Sequence, residues 1–431
     1  MKSLTNARRR TLGIRFAVVS GALVVAACGS TAGGTTSSSG GSGPIVMSMV
    51  GPLTGASASQ GIPILEGSKA AAKYINDHGG ILGRTLQMDQ VDTVGDPADA
   101  VPAVNKEIPA SSPVAFIGPI TLEIKALQPI FDRNKIVDGF NGGSVQYDTN
   151  SDPLLYRCNA SDSELGVAMA LEAFKKGYRN AALFVSNSAS TETLIPIIQK
   201  AFIALGGKIA GTVNVTMSQP SYRSEVQQVV NLHPDVIFTQ MEPNTGSVAV
   251  ANFKEINNLA IPFVGTDLTA GSDFVTAIGT QVAKAHFISV QGSTALTSSG
   301  QIFTNVYQQV NGHQPLASSA YAYDCVIDFA LAMTKAGTSD PKVWANSLKA
   351  VSNPPGTAVG DYAQAVTMIK AGTKINYAGA SGPMDFDKFN NVAGAWDVVQ
   401  ATGDAAGTFT TLETLSATAI QAVITKEGGS G

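Results

Sequence analysis

Cys28 is the residue whose surroundings most directly indicate a chemical reaction. It follows Ala26 and Ala27, which close an apolar stretch of twelve residues, 16–27, that comes after a cluster of arginines. A basic segment, a short apolar segment and small residues are typical of an export signal, and a membrane span needs about 20 apolar residues. Because the small residues lead into a cysteine, as in the bacterial lipobox, we predict cleavage after residues 1–27 and lipidation of Cys28. An ordinary secretory signal is the alternative, and the Sec and twin-arginine export routes both stay open.

Patterns typical of catalysis are absent from the sequence. It contains no Gly-x-Ser-x-Gly turn, no zinc-binding His-Glu-x-x-His, no phosphate-binding Gly-x-x-x-x-Gly-Lys and no Cys-x-x-Cys pair. The four histidines are isolated from one another along the chain: His78, His233, His286 and His313. We therefore predict a protein that is not an enzyme and that holds no metal and no cofactor. A secreted, lipid-anchored hydrolase, whose catalytic groups meet only in the fold, is the main alternative.

The composition is that of a folded, weakly charged chain. Of the 431 residues, 44% are apolar and 14% are charged, which argues against a disordered chain and against a nucleic-acid binder. The formal net charge is −4, and removal of residues 1–27, which carry five basic residues and no acidic one, makes it −9. Residues 29–43 contain only Gly, Ser, Thr and Ala. We therefore predict a flexible, lipid-anchored linker over residues 28–44.

Beyond the linker, short apolar runs alternate with helical patterns. The run 45–50 ends at Gly51-Pro52, which is a strand signal, and segment 61–78 then has apolar residues at helical spacing. Further strand-like runs lie near 86–91, 114–117, 136–139, 181–186, 208–215, 235–239, 262–265 and 286–291. Repeated strand–helix units favour parallel sheets covered by helices on both faces, and there are more strands than one sheet needs. We predict an α/β fold with two lobes, whose ligand lies beyond the carboxyl ends of the strands.

Several motifs occur in an order that suggests a family. The chain has Gly-Pro-Leu-Thr-Gly at 51–55, a helix that ends in Gly-Gly-Ile-Leu-Gly at 79–83, and Phe-Ile-Gly-Pro at 116–119. Tyr-Ala-Tyr-Asp at 321–324 and Gly-Pro-Met-Asp-Phe at 382–386 come later. Together these motifs resemble the type I periplasmic binding proteins, and most closely their leucine/isoleucine/valine-binding branch. The resemblance extends over nearly the whole chain after the linker.

The resemblance implies two doubly wound parallel-sheet lobes, joined by a three-strand hinge, that close on a small ligand. Lobe 1 would comprise 45–156 plus 291–381, lobe 2 would comprise 157–290 plus 382–425, and 426–431 would be a flexible tail. Backbone amides at helix N-termini would bind an anionic group, and a side-chain acid would bind an ammonium group. The ligand would be a small polar solute, such as an amino acid or a related amide or carboxylate.

The resemblance also implies a set of ligand-binding residues. Asp267 falls where amino-acid binders place the acid that meets the ligand's ammonium group, and Thr121 lies near their first-lobe hydroxyl contacts. Gln60 and Ser190 stand where those proteins usually offer aromatic rings, so the pocket lining departs from the family pattern. The predicted ligand-binding residues are Thr54, Gln60, Thr121, Asn141, Gly142, Ser190, Glu242 and Asp267.

Local structure offers other interpretations of some of these residues. Asp267 is equally suited to cap a helix predicted near 271–279. Thr54 and Asn141 are typical turn residues. Tyr321 and the nearby Tyr323 are interpreted as packing near the hinge rather than as ligand contacts.

Two cysteines remain once Cys28 is lipidated. In the family frame Cys158 lies at the first crossover between the lobes, and Cys325 lies on a helix that could pass nearby. An oxidising compartment allows a disulfide between them. The sequence leaves this open and slightly favours two buried free thiols.

Together, the signal, the resemblance and the missing catalytic patterns indicate a function. They imply an extracytoplasmic solute-binding lipoprotein of an ABC-type uptake transporter, anchored to the cell membrane by the lipid on Cys28. Its partners would be the solute and a membrane permease, and we expect a monomer that binds no nucleic acid. A ligand sensor that is not coupled to transport is a further alternative.

Overall fold

The computed structural model describes residues 43–293 and 298–426, and within them the side chains of all residues except 189 and 190. The predicted signal segment, the lipidation site Cys28 and most of the predicted linker and tail lie outside these ranges. None of the described helices combines the length and the hydrophobicity that a membrane crossing requires.

The first part of the chain builds a parallel sheet with connecting helices. Its elements are β1 (Ile45–Gly51), α1 (Ala58–Asp77), β2 (Leu86–Asp92), α2 (Pro97–Ser111), β3 (Ala115–Ile117), α3 (Ile124–Asn134), β4 (Val137–Phe140) and β5 (Leu155–Arg157). The strands lie in the order β2-β1-β3-β4-β5, and all neighbours are parallel. Helices cover both faces of this sheet, so central strands such as β3 are buried along their whole length and are apolar without alternation.

The middle of the chain repeats this arrangement. Its elements are α4 (Asp162–Lys175), β6 (Asn180–Ser186), α5 (Ala189–Leu205), β7 (Lys208–Val215), α6 (Arg223–Val230), β8 (Val236–Thr239), α7 (Pro243–Glu255), β9 (Phe263–Gly265), α8 (Ser272–Ile278), α9 (Thr280–His286) and β10 (Phe287–Gly292). The strand order β7-β6-β8-β9-β10 is the order of the first sheet with each number raised by five, and the strands are again parallel. Each sheet is thus a doubly wound unit with its own ligand-facing edge.

The last part of the chain returns to both sheets. It comprises α10 (Ser298–Asn311), α11 (Ala317–Ala336), α12 (Pro341–Trp344), α13 (Leu348–Ser352), β11 (Thr357–Val359), α14 (Tyr362–Lys370), β12 (Ile375–Tyr377), β13 (Trp396–Ala401), β14 (Phe409–Leu415) and α15 (Ala417–Lys426). Helices α10 and α11 pack into the core of the first sheet, and β13 and β14 extend the second sheet with antiparallel pairing. The chain therefore passes between the two sheets three times, which confirms the predicted fold class.

Helix α11 forms the centre of the first core. Its side chains are buried around most of its circumference, because apolar residues occur on nearly all of its faces. It packs closely against α1, because Gly67 has no side chain: a Cβ atom there would lie 2.0 Å from the carbonyl oxygen of Ser319. This packing holds the N-terminal end of α11 beside the middle of α1.

A disulfide joins Cys158, which follows β5, to Cys325 in α11, and their Cα atoms are 5.6 Å apart. The preference for two free thiols is therefore wrong. The sequence could not decide this point because the two residues are 167 positions apart and meet only in the fold. Gly139 in β4 leaves the space that the bond needs, since a Cβ atom there would come within 2.5 Å of Cys325 Sγ. The disulfide fixes the first passage between the sheets to the central helix.

Candidate functional site

A cavity of about 580 Å³ lies between the two sheets, at the carboxyl ends of their parallel strands. This volume is within the usual range for small-molecule sites. One wall comes from the loops after β3, β4 and β5 and from the start of α1, and the facing wall comes from the loops after β8, β9 and β10. Both sheets contribute because each presents its carboxyl edge to the space between them.

The cavity brings together five of the eight predicted ligand-binding residues. These are Gln60, Thr121, Asn141, Gly142 and Asp267. The lining does not include Thr54 or Glu242. The side chain of Ser190 lies outside the described part of the structure, and the backbone there belongs to α5.

Thr54 holds the turn after β1. Its hydroxyl donates to Asp92 Oδ2 at 2.6 Å, and the backbone N–H groups of Leu53 and Val94 each donate to Asp92 Oδ1 at 2.9 Å. Although desolvation opposes them, these hydrogen bonds keep the pKa of Asp92 below its ordinary value. The hydroxyl of Thr54 is thus engaged in turn structure, as the second interpretation of this residue predicted.

Glu242 occupies the N-cap position of α7 and is 8% exposed. Burial raises the pKa of its carboxyl, and a hydrogen bond with the side chain of Ser186 opposes this effect. Its chain neighbours Gln240 and Pro243 line the cavity. Glu242 is therefore next to the site without forming its surface.

Asp267 begins a short 3₁₀ turn, Asp267–Ala270, directly after β9. The side chain is half-buried in the cavity wall, and burial raises the pKa of its carboxyl. Its Oδ1 atom accepts a hydrogen bond from the backbone N–H of Leu268 at 3.1 Å. The helix predicted near 271–279 is α8, and Gly271 occupies its N-cap position. The interpretation of Asp267 as the cap of this helix is therefore wrong.

The opposite wall presents backbone N–H groups. Those of Thr121, Gly142 and Gly143 make no hydrogen bond to any described residue. They lie close to one another because Gly142 has no side chain: a Cβ atom there would be 2.7 Å from the Thr121 nitrogen. Thr121 also lies just before the N-terminus of α3, where the helix dipole favours negative charge. This wall is suited to an anionic group such as a carboxylate.

Asp162 is a cavity residue that sequence reasoning missed. It is the first residue of α4, after the N-cap residue Ser161, so in the sequence it resembles an ordinary acidic helix start. Burial raises the pKa of its carboxyl to about 7; the charge of Arg157 opposes this shift, and the nearby Asp267 adds to it. A hydrogen bond with Thr193 also favours the ionised form.

Aromatic side chains that the sequence did not assign to the site complete the lining. Tyr321 and Trp396 both line the cavity, whereas Tyr323 is buried in the first core, as predicted. The ring of Tyr321 takes the space beside Gly292, where a Cβ atom would lie 1.3 Å from its hydroxyl oxygen. The packing interpretation of Tyr321 thus describes only one side of the ring, since the other side faces the cavity.

At another part of the lining, a small polar cluster surrounds Glu66. The Tyr307 hydroxyl donates to Glu66 Oε2, and His313 Nε2 lies 3.2 Å from Glu66 Oε1. Although desolvation opposes the shift, hydrogen bonds that the His313 ring donates to the Gln314 carbonyl oxygen and to Glu66 raise the pKa of His313, and the charge of Asp273 adds to this effect.

The described residues contain no group of three or more His, Cys, Asp or Glu placed to hold a metal ion. The cavity lining offers charged, hydrogen-bonding and apolar groups to a ligand.

Comparison with known proteins identifies relatives over most of the chain. The profile of the family described as periplasmic binding protein matches residues 44–408. An "Amino acid binding protein" of Pseudomonas aeruginosa is 24% identical over 325 residues, which are 73% of this chain and 84% of that protein.

Solved structures show the same fold. A leucine-binding protein of Thermotoga maritima superposes with a TM-score of 0.73 at 18% identity, over 86% of this chain and 99% of that one. A solute-binding protein of an ABC transporter from Rhodopseudomonas palustris, in complex with 3,4-dihydroxybenzoic acid, superposes with a TM-score of 0.70 at 17% identity, over 87% and 98% of the two chains.

Proposed function

The chain belongs to the periplasmic binding protein family, and on that premise we propose that it is the solute-binding component of an ABC-type uptake transporter. Its ligand is an amino acid or a close relative, which it captures between the two sheets and releases unchanged to a membrane permease. Binding to a closing cleft removes water from the ligand, so each polar group of the ligand must find a partner there.

One observation carries this proposal: a carboxylate and a set of free amides face the same cavity from opposite walls. Asp267 lies on the wall of the second sheet, and the N–H groups of Thr121 and Gly142 lie on the wall of the first. In an α-amino acid, the ammonium group and the carboxylate are both bonded to the same carbon atom. Asp267 would bind the ammonium group, and the amides would bind the carboxylate.

The relatives support the ligand class. The similar protein of Pseudomonas aeruginosa is named for amino-acid binding, and that of Thermotoga maritima for leucine binding. The relative from Rhodopseudomonas palustris holds an aromatic acid, which has a carboxylate but no ammonium group. The acid at position 267 favours the amino acid, because an aromatic acid offers it at most a neutral hydroxyl donor and no cationic group.

The proposed location follows from the N-terminal sequence. Cleavage before Cys28 and lipidation of this residue would anchor the chain to the outer surface of the cell membrane. A linker of about 15 residues would give an r.m.s. reach of roughly 20 Å, which lets the binding unit approach a permease.

A ligand screen on cleaned protein tests the function. The protein is unfolded in denaturant, freed of co-purified ligand, refolded, and heated with each of the twenty amino acids and a set of aromatic acids. A ligand present at 100 times its Kd stabilises the folded state by about 2.7 kcal/mol, which raises the melting temperature. We expect an amino acid to give this shift and to be recovered unchanged by mass spectrometry. A shift with aromatic acids alone, or chemical conversion of the ligand, would contradict the proposal.

A further inference from the structure

Among the described residues, the cavity is lined by acids from both walls and by no lysine or arginine. Its four carboxylates belong to Glu66, Asp162, Asp267 and Asp273, and its one basic side chain among the described lining residues is that of His313. A family site for a neutral, zwitterionic amino acid needs one acid for one ammonium group. The cavity of this chain therefore holds more acidic groups than such a ligand can pair with its one ammonium group.

Asp162 is the acid that a zwitterion leaves without a cationic partner, since its hydrogen bond with Thr193 supplies no positive charge. The described residues give neither Asp162 nor Asp267 a salt bridge with lysine or arginine. The nearest guanidinium, that of Arg157, is directed elsewhere: it bonds Asp148 Oδ1 at 2.6 Å and the carbonyl oxygen of Ser144 at 3.2 Å. Glu66 differs from these two acids because Tyr307 and His313 satisfy its oxygens.

Neutral acceptors in the same cavity also lack donors. The side-chain oxygens of Asn141 and Asn159 are buried and make no hydrogen bond within the described structure. Their amide nitrogens are already engaged, by Gly139 O at 3.1 Å and by Ala160 O at 2.9 Å. A buried acceptor without a donor costs free energy. A ligand that is rich in N–H groups would supply donors to these two oxygens. This observation is independent of the charge count.

We propose that the ligand is an organic cation with two cationic groups at neutral pH, of the class of basic amino acids, whose net charge is +1, and their decarboxylated amines, whose net charge is +2. Asp267 binds one cationic group and Asp162 binds the second, so Asp162 is a specificity-determining residue. The side-chain ammonium or guanidinium group supplies only donors, which matches the oxygens of Asn141 and Asn159. This inference rests on the proposed function and narrows its ligand class.

The packing around Asp162 holds its carboxylate in place for this role. A Cβ atom at Gly143 would lie 1.8 Å from Asp162 Oδ1, so the carboxylate lies directly on the backbone of the loop after β4. The backbone N–H of Asp162 donates to the carbonyl oxygen of Gly143 at 2.7 Å. A fixed carboxylate can select a cation at a set position, because little freedom is lost when the ligand binds.

Isothermal titration of refolded protein at pH 8 tests the inference. The ligands are L-arginine and L-lysine, their neutral analogues L-citrulline and L-norleucine, and the amines agmatine and cadaverine. We expect the better cationic amino acid to bind at least tenfold more tightly than its neutral analogue. Agmatine or cadaverine binding as tightly as the corresponding amino acid would support the cationic class, but it would contradict the proposed binding of a ligand carboxylate by the amides of Thr121 and Gly142.

Two variants assign the preference to one residue. Asp162→Asn keeps the side-chain shape and should weaken binding of the cation at least tenfold while leaving binding of the neutral analogue unchanged. Asp404→Asn removes an exposed acid of the same half of the chain and should change neither affinity. Circular dichroism checks that each variant is folded. If a variant does not fold, the affinities of the wild-type protein for cationic and neutral ligands still test the cationic class.

The outcomes separate the two proposals. Neutral amino acids that bind as tightly as arginine or lysine, or more tightly, would overturn the cationic class and leave the proposed function intact. If none of these amino acids or amines bound, the cationic class would fail, and the proposed function would fail with it only if none of the twenty amino acids raised the melting temperature. A cation preference that survives in Asp162→Asn would overturn the role of Asp162.

Discussion

The carboxylate of Asp162 lies on the backbone of Gly143, in the space that any larger residue would need. Gly143 follows β4 of the first sheet, and Asp162 begins α4, which packs on the second sheet. The contact therefore joins the two halves of the chain next to the cavity. Glycine at this position is explained by the approach of the acid rather than by an unusual backbone angle, since Gly143 is not among the residues with positive φ.

The first prediction tests this contact. Gly143→Ala should displace the Asp162 carboxylate and lower the free energy of unfolding by about 1–3 kcal/mol, which is typical of overpacking. The double variant Gly143→Ala with Asp162→Ala removes the obstructing carboxylate, so it should recover part of this loss. Urea denaturation of both variants and of Asp162→Ala alone measures the coupling. Strictly additive losses would show that the two residues do not compete for space.

Thr54 gives a prediction in which stability and binding separate. Thr54→Val removes the hydroxyl that donates to Asp92, so the free energy of unfolding should fall by about 0.5–1.5 kcal/mol. Ligand affinity should stay within twofold of the wild type, because Thr54 is not part of the cavity lining. Titration calorimetry and thermal unfolding of the same preparation check both statements. A tenfold loss of affinity at unchanged stability would return Thr54 to the binding site.

The disulfide gives a third prediction. In a Cys28→Ser background, replacing Cys158 and Cys325 by alanine should cost about 2–5 kcal/mol of stability, because the bond closes a long loop of the unfolded chain. The background variant should lose similar stability when a reductant breaks the bond, and the alanine variant should not respond to reductant. Equal urea midpoints for the two proteins, with and without reductant, would contradict a bonded pair.

Glu123 predicts a pH dependence of stability. The side chain is fully buried, and desolvation raises its pKa from 4.5 to about 7, although hydrogen bonds from Thr93 and Ile120 oppose the shift. The folded state therefore binds this proton more tightly than the unfolded state. The stability due to the proton is fully present below pH 4.5 and is lost as the pH rises to about 7, by up to roughly 3 kcal/mol.

Comparison of two variants isolates the contribution of Glu123. Glu123→Gln cannot ionise, so its stability should fall less than that of the wild type between pH 4.5 and 7. Glu192→Gln, at an exposed position, should follow the wild-type curve. Urea denaturation over this pH range measures the difference, and parallel curves for all three proteins would contradict the shift.

Much of the fold could be predicted from the sequence, because buried parallel strands leave a simple pattern. The apolar runs near 181–186 and 208–215 correspond to β6 and β7, and the predicted helix 61–78 corresponds to α1. The strands that were missed are short or belong to the irregular last part of the chain. Strand β5 has three residues, which is too few for any periodicity, and β14 is exposed along most of its length.

The site was less predictable, because side chains meet there through the fold rather than through spacing. Asp267 could be placed by its position after a strand and by the resemblance. Asp162 could not, since its pattern is that of a helix start and its relation to Gly143 depends on a loop 19 residues earlier in the chain. Trp396 lines the cavity from the start of β13, directly after the last passage between the sheets, a position that its sequence neighbours do not reveal.

Ligand binding by an Asp267→Asn variant tests most directly whether the cavity recognises the ammonium group of an amino acid. Loss of water makes an ionised carboxylate unfavourable in a closed cleft unless a cationic or hydrogen-bond-donating group of the ligand pairs with it. For the amino acid that gives the largest thermal shift, titration calorimetry should show that Asp267→Asn weakens binding by about 2–5 kcal/mol, while Asp404→Asn binds as the wild type does. Unchanged affinity in a correctly folded Asp267→Asn protein would contradict the proposal that this cavity recognises the ligand through its ammonium group.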